Sequence, residues 1–336
     1  MMSMLSVFSY AFNALAPVLG LAVMGYLLKK AKVFDETFYK NLNTFGFHYC
    51  IGPMLFLNLY NLDSIRMVDG VFSLYVVFAI LLITLLDVVV TNRVTSVRNR
   101  KGVMIQAGLR SNFAVVGYPL VEGLAGTAAL SVAASVQAST IIYFNVACVL
   151  VLSIYGEKSA DWKKVMVNMT KNPLLRGLVL GLVVLFIREF IPVKDGVPVF
   201  TIKNNLPFLY NFLNHLSKAT TAMVLVSMGG RFEMSQAKGV KKELVAAILL
   251  RLVLAPLVGF SFIFGLHHFG LLDLNSARIG TMIALFGGPV AVSSTAMASE
   301  MNGDDILAGQ IVIWTSLFSV FTIFTYAVVF RFLGML

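Results

Sequence analysis

Two stretches hold the residues whose types and spacing suggest chemistry. The first runs from Gln106 to Gly123 and contains Arg110, Asn112, Gly117, Pro119 and Glu122. The second runs from Gly280 to Thr295 and contains Gly287, Gly288, Pro289 and Ser293. In each, a Gly/Pro element falls near the middle of an apolar run. Proline removes a backbone donor and clashes with the carbonyl a turn earlier, and glycine lowers the cost of unwinding. A helix broken there exposes spare N–H groups and a partial positive charge at the start of its second half, which suit a carboxylate. Asn112, Gly117, Pro119, Gly288, Pro289 and Ser293 are therefore candidate ligand-binding residues. Gln137 and Asn145 join them, because amides are costly to bury and so face a polar site.

Charged groups inside apolar runs are the second set of candidates, since ionisable residues are expensive in a membrane. Lys218 shares a helical face with Asn211, Asn214 and His215 by three- and four-residue spacing. It serves either to attract an anion, to pair with Asp87 or Glu122, or to reach the interface. Arg251 lies too deep to snorkel easily, which leaves anion attraction or domain pairing. Arg110 is placed at the inner boundary, where it snorkels. Asp87, Glu122 and Glu300 are the carboxylates that could carry a coupling proton or ligate Na⁺. All three stand towards the ends of their runs, a position that also suits interface anchoring. Adjacent His267 and His268 lack further clustered ligands, so no metal site is expected and no cofactor beyond a coupling H⁺ or Na⁺. No GxSxG, HExxH or comparable arrangement is present, which argues against an enzyme. There is no ATP-binding loop.

The elements that must position these residues follow from composition. The chain has 336 residues, 58% hydrophobic and 12% charged, with a mean hydropathy of +0.86. Soluble domains carry roughly 25% charged residues, so an ordinary soluble enzyme, a disordered chain and a nucleic-acid-binding domain are excluded. Cys50 and Cys148 both sit in apolar stretches and imply no disulfide framework. Ten runs are long and apolar enough for membrane helices, which need about 20 residues. They cover 5–28, 36–60, 69–91, 102–125, 127–155, 173–191, 206–230, 243–268, 278–300 and 304–333. The connections after runs 1, 3, 5 and 7 hold clusters such as Lys29-Lys30, Arg98 with Arg100-Lys101, Lys158 with Lys163-Lys164, and Lys241-Lys242. The opposite connections hold only Arg66, Arg188, Lys194, Lys203, Arg278 and Arg331. The positive-inside rule then puts both termini outside the cytoplasm. The connection after run 9 breaks the pattern with Glu300, Asp304 and Asp305.

Ten runs divide into five and five, and an odd number per half inverts the second half. Tyr39, Leu42 and Asn43 match Tyr210, Leu213 and Asn214; Gly117 and Pro119 match Gly287 and Pro289; Pro17 and Gly20 match Pro173 and Gly177. The expected fold is an all-α polytopic membrane protein of ten transmembrane helices in two inverted five-helix repeats, with broken helices 4 and 9 crossing. Residues 1–156 form the first repeat, 157–172 a cytoplasmic connector and 173–336 the second repeat. Inverted repeats with broken helices are a mark of secondary transporters.

The stretch Arg110-Ser-Asn112-Phe-Ala-Val-Val-Gly117-Tyr-Pro119-Leu-Val resembles the fourth-helix motif of the auxin efflux carrier family. Asn172-Pro173-Leu-Leu resembles its sixth-helix start, and Pro289-Val-Ala with Met301-Asn-Gly303-Asp304 its C-terminal signature. Bacterial members look like permeases for malate or malonate, and plant members carry indole-3-acetate. The resemblance implies a scaffold of helices 1, 2, 6 and 7 and a transport domain of helices 3–5 and 8–10, in which helices 4 and 9 cross at their prolines. Asn112, Gly117, Pro119 and Pro289 fall on that crossover motif. It also implies a homodimer and elevator-type movement in the plasma (cell inner) membrane. This chain lacks the long central cytoplasmic loop of the plant carriers, and it has no proline near Thr220-Thr221-Ala222, where many members have one. The first departure favours a bacterial metabolite over auxin. The function expected is transport of small carboxylates, active or facilitative. The alternative is a sodium-coupled symporter of the bile-acid carrier type, which shares the crossed-helix plan. The partners expected are the carboxylate, membrane lipid and a second copy, with no nucleic acid.

Overall fold

A computed structural model describes residues 4–61, 69–156, 167, 170–194 and 197–336. Arg66, Lys158, Lys163 and Lys164, and most of the 157–172 connector, lie outside the described residues. Ten helical segments are seen among the described residues, each ending within four residues of an expected run. They are α1 (Met4–Lys30); α2 (Glu36–Phe45) with α3 (Ile51–Tyr60); α4 (Gly70–Val94); α5 (Arg98–Leu109) with α6 (Tyr118–Ala125); and α7 (Leu130–Gly156). The second half holds α8 (Pro173–Arg188); α10 (Pro207–Arg231); α11 (Lys241–Leu249) with α12 (Ala255–His268); α13 (Ser276–Phe286) with α14 (Ser293–Glu300); and α15 (Asp305–Phe332). A short α9 (Ile202–Asn205) and a two-residue hairpin, β1 (Val193–Lys194) with β2 (Val197–Pro198), decorate one connection. Gly70–Val94, Thr127–Gly156, Ala237–His268 and Asp305–Phe332 are long and apolar enough to cross a membrane. The chain is a multi-pass membrane protein.

Local chemistry sets the helix starts. Asp35, Asp69, Asn172, Asn275 and Asp304 each accept a bond from a backbone N–H two or three residues on, as N-caps do. Three π turns, Gly46–Cys50, Phe113–Gly117 and Leu250–Leu254, each lie just ahead of a proline, Pro53, Pro119 and Pro256. A proline deprives the carbonyl four residues earlier of its helical donor. At Pro256 that carbonyl, of Leu252, instead accepts the Tyr326 hydroxyl at 2.9 Å.

Two helix pairs pack closely. α1 lies along α10, and a Cβ at Gly229 would strike the Ala22 backbone. α8 lies along α3, and a Cβ at Gly177 would strike the Gly52 backbone. Small residues let membrane helices approach until their backbones touch. α10 also packs on α2 and α3. A second set of neighbours is formed by α4, α5, α7, α11 to α13 and α15, with α6 against α13 and α14 against α15.

Basic residues at the ends of runs 1 and 7 and in the connection after run 3 pair with acidic ones. Arg100 bonds Asp304 and Glu243, both at 3.0 Å, and Arg231 pairs with Asp305. The hydrogen bond to Glu243 pushes the Arg100 guanidinium above its ordinary value. Lys29 bonds Glu233 at 2.9 Å. Asp304 and Asp305, in the acidic departure after run 9, are thus counter-ions for Arg100 and Arg231.

Candidate functional site

α5 stops at Leu109 because Arg110 turns to extended backbone, φ −100° and ψ 107°. α13 stops at Phe286, and α14 resumes at Ser293. Between those ends the two breaks meet. The Asn112 N–H donates to the Pro289 carbonyl at 2.8 Å, and the Ala291 N–H donates to the Arg110 carbonyl at 3.3 Å. Ser111 and Val290 stand opposite each other in this minimal antiparallel ladder.

The second break lies where glycine and proline placed it. The first does not: it falls at Arg110–Asn112, ahead of Gly117 and Pro119. Pro119 sits in the first turn of α6, exposed, where a missing N–H costs least. Gly117 ends the π turn, closed against the Phe113 ring. Neither residue lines the cavity described below. The matching of Gly117-Pro119 with Gly287-Pro289 is corrected with it, since the facing residues Ser111 and Val290 are 179 positions apart.

Backbone groups freed inside a membrane need protein partners, and three side chains supply them. Arg251 is buried in the Leu250–Leu254 turn and donates to four carbonyls: Gly288 at 2.9 Å, Gly108 at 3.0 Å, Leu285 at 2.6 Å and Phe286 at 3.2 Å. It thereby caps the C-terminal, partially negative ends of both α5 and α13. Thr315 of α15 receives the Val290 N–H at 3.2 Å, and the Thr322 hydroxyl reaches the Gly287 carbonyl at 3.5 Å. Arg251 is thus engaged with backbone rather than open to an anion. Asp87, which the sequence set towards a run end, is fully buried against Gly108, and neither carboxylate oxygen has a hydrogen-bond partner in the structure.

A cavity opens beside the ladder, between α3, α7, α10 and residues 291–293. The space open to the centre of a water-sized sphere is about 70 Å³, several times what one water needs. Asn112, Gln137, Asn145 and Ser293 line it, as do Ser111, Asn58 and Thr220. Gly288 and Pro289 lie in the ladder behind this wall. Arg110 is the residue that sequence reasoning misplaced. It does not snorkel: it is 5% exposed, lines the cavity, and donates to the Asn145 side-chain oxygen at 3.2 Å and to the Met297 sulfur at 2.7 Å. The boundary position assumed a helix continuous as far as Pro119; a break at Arg110 itself puts this side chain at the crossing. The Ser111 hydroxyl and the Asn112 amide nitrogen are buried without partners in the structure.

The remaining candidates lie elsewhere. Lys218, Asn211 and His215 are exposed on α10, away from the cavity, and Glu122 is exposed on α6. Glu300 receives the Thr44 hydroxyl at 2.7 Å and lies 3.1 Å from the His48 ring nitrogen.

A family model described as membrane transport protein matches residues 10–327. The chain belongs to the auxin efflux carrier family. Members of this family are transporters rather than enzymes, and that agrees with a site built from amides, hydroxyls and a single guanidinium. Comparison with curated proteins returns no match.

Proposed function

We propose that this chain carries small organic anions across the plasma membrane by elevator-type alternating access. The observation that carries the reading is the ladder between two broken helices, set beside a cavity lined by Arg110 and Asn112. A carboxylate docks there on the amide and guanidinium donors. The class runs from malate and malonate to auxin-like acids.

Two inverted five-helix repeats underlie the fold on this reading. The support is packing: α1 meets α10 through glycine as α8 meets α3, and α5 ends opposite α13. Helices 1, 2, 6 and 7 (α1 to α3, α8 and α10) form the scaffold. The other six segments form the transport domain, and the cavity lies on the seam between the two. A second polar cavity follows the same seam towards the basic end, lined by Asn43, Ser227, Arg231, Thr295 and Asp305. Both termini face outside, so this second cavity opens to the cytoplasm as an inner vestibule. The carrier works as a homodimer, and a proton, a sodium ion or the substrate gradient itself supplies the bias. Asp87 is the best-placed carboxylate for a coupling cation, being buried and without a hydrogen-bond partner beside α5. No observation separately favours a bile-acid-type symporter.

Counterflow of radiolabelled acids into proteoliposomes tests the reading. Asn112→Ala abolishes saturable uptake while the protein stays folded, judged by its melting temperature and elution profile. Wild-type uptake by that variant removes Asn112 from the site.

A further inference from the structure

We infer that the cavity accepts organic monoanions and discriminates against dianions, because Arg110 supplies its only positive charge among the described residues. The inference rests on the carrier reading and narrows it. Arg110 is the one charged side chain lining the cavity among the described residues. Arg251, the other buried cation of the crossing, donates to four carbonyls. Among the described residues no acidic side chain lines the cavity to hold a bridging cation for a second carboxylate.

The donors gather at one end. A guanidinium has five N–H groups; the bonds to Met297 and Asn145 use two of them, and the Cys148 sulfur takes a third. The unpartnered Ser111 hydroxyl and Asn112 amide stand beside it on the ladder, both in residues at least 95% buried. Guanidinium, amide and hydroxyl together satisfy one carboxylate through charge-assisted bonds. Met54, Leu55, Ile141, Phe144 and Val224 also line the cavity, which suits an aliphatic body. Asn58, Gln137 and Thr220 can bond a hydroxyl or keto group but bring no charge. A second carboxylate would therefore be buried without a counter-ion, which disfavours the dianion. Every 1.4 kcal/mol is tenfold in affinity, so discrimination of about tenfold or more is expected.

The test is counterflow through the purified full-length chain in proteoliposomes, with acids matched in length. Butyrate is compared with succinate, and 2-hydroxybutyrate with malate. The monoanions are carried saturably, and the dianions at least about tenfold less well at neutral pH. Lowering the pH until the second carboxylate is protonated narrows the gap. Arg110→Gln loses the monoanion flux, and Arg110→Lys, which keeps the charge, retains part of it; folding of both is checked by melting temperature. Should either variant fail to fold, the comparison of acids on the wild-type chain decides alone. Succinate or malate carried as well as its monoanion partner at neutral pH, or full activity in a folded Arg110→Gln, overturns the inference and leaves the carrier reading standing. No flux of any acid overturns the carrier reading and this inference with it.

Discussion

Gly287–Val292 and Arg110–Asn112 face each other across two hydrogen bonds, yet they leave the helix for different reasons. The first is marked by its own composition, two glycines and a proline, and is then pinned from outside by Arg251, Thr315 and Thr322. The second has no glycine or proline at the bend. Its extended backbone is matched by a partner, through the Pro289 carbonyl and the Ala291 N–H. One break is thus intrinsic and braced, the other induced by pairing. Bracing and ligand contact are divided accordingly. The braced break keeps Gly288 and Pro289 behind the cavity wall and lines the cavity with the apolar Ala291 and Val292, whereas the induced one presents the polar Arg110, Ser111 and Asn112 to it.

Substitution of Arg251 tests the bracing most severely. Arg251→Met strands carbonyls at both half-helix ends and leaves Asp87 without the nearby cation that acts on it. Removing one partner from a buried charged network costs about 3–5 kcal/mol. The expected outcome is a large fall in melting temperature in detergent, with poor yield. A variant as stable as wild type would mean that the ladder holds both breaks unaided.

Thr315→Val probes one brace only. It keeps the shape of a fully buried side chain and removes the acceptor of the Val290 N–H. An unsatisfied buried donor costs about 1–3 kcal/mol, so the melting temperature falls by less than in Arg251→Met. An unchanged value would show that Val290 finds another acceptor.

The two breaks also differ in how well the sequence announces them. The helices themselves were legible, because about 20 consecutive apolar residues have few other uses, and the caps at Asp35, Asp69, Asn172, Asn275 and Asp304 sit at their starts. The break at Gly287–Pro289 was legible from backbone propensity. The break at Arg110 was not, because a conformation imposed by a segment 179 positions away leaves no local signature. Placing that break at Pro119 moves Arg110 from the crossing to the boundary and hides the one charged side chain that lines the cavity among the described residues. Gln137 and Asn145 stand out as costly polar groups in an apolar run, and Asn112 and Ser293 as neighbours of the Gly/Pro elements; all four line the cavity. Lys218 and Glu122 met the same criterion and are exposed instead, since composition does not say which way a helix face turns.

The two prolines give the finest discrimination between an intrinsic and an induced break. Pro289 is buried within its break, so Pro289→Ala loses ring contacts and gains backbone freedom in the unfolded chain, for about 1 kcal/mol. Pro119 is exposed in the first turn of α6, downstream of its break and outside the cavity lining. Pro119→Ala therefore changes stability by less than about 0.5 kcal/mol and leaves uptake close to wild type. Melting temperatures and counterflow rates of the pair decide the matter. Equal losses of uptake in both variants would return the first break to Pro119 and would take Arg110 away from the crossing.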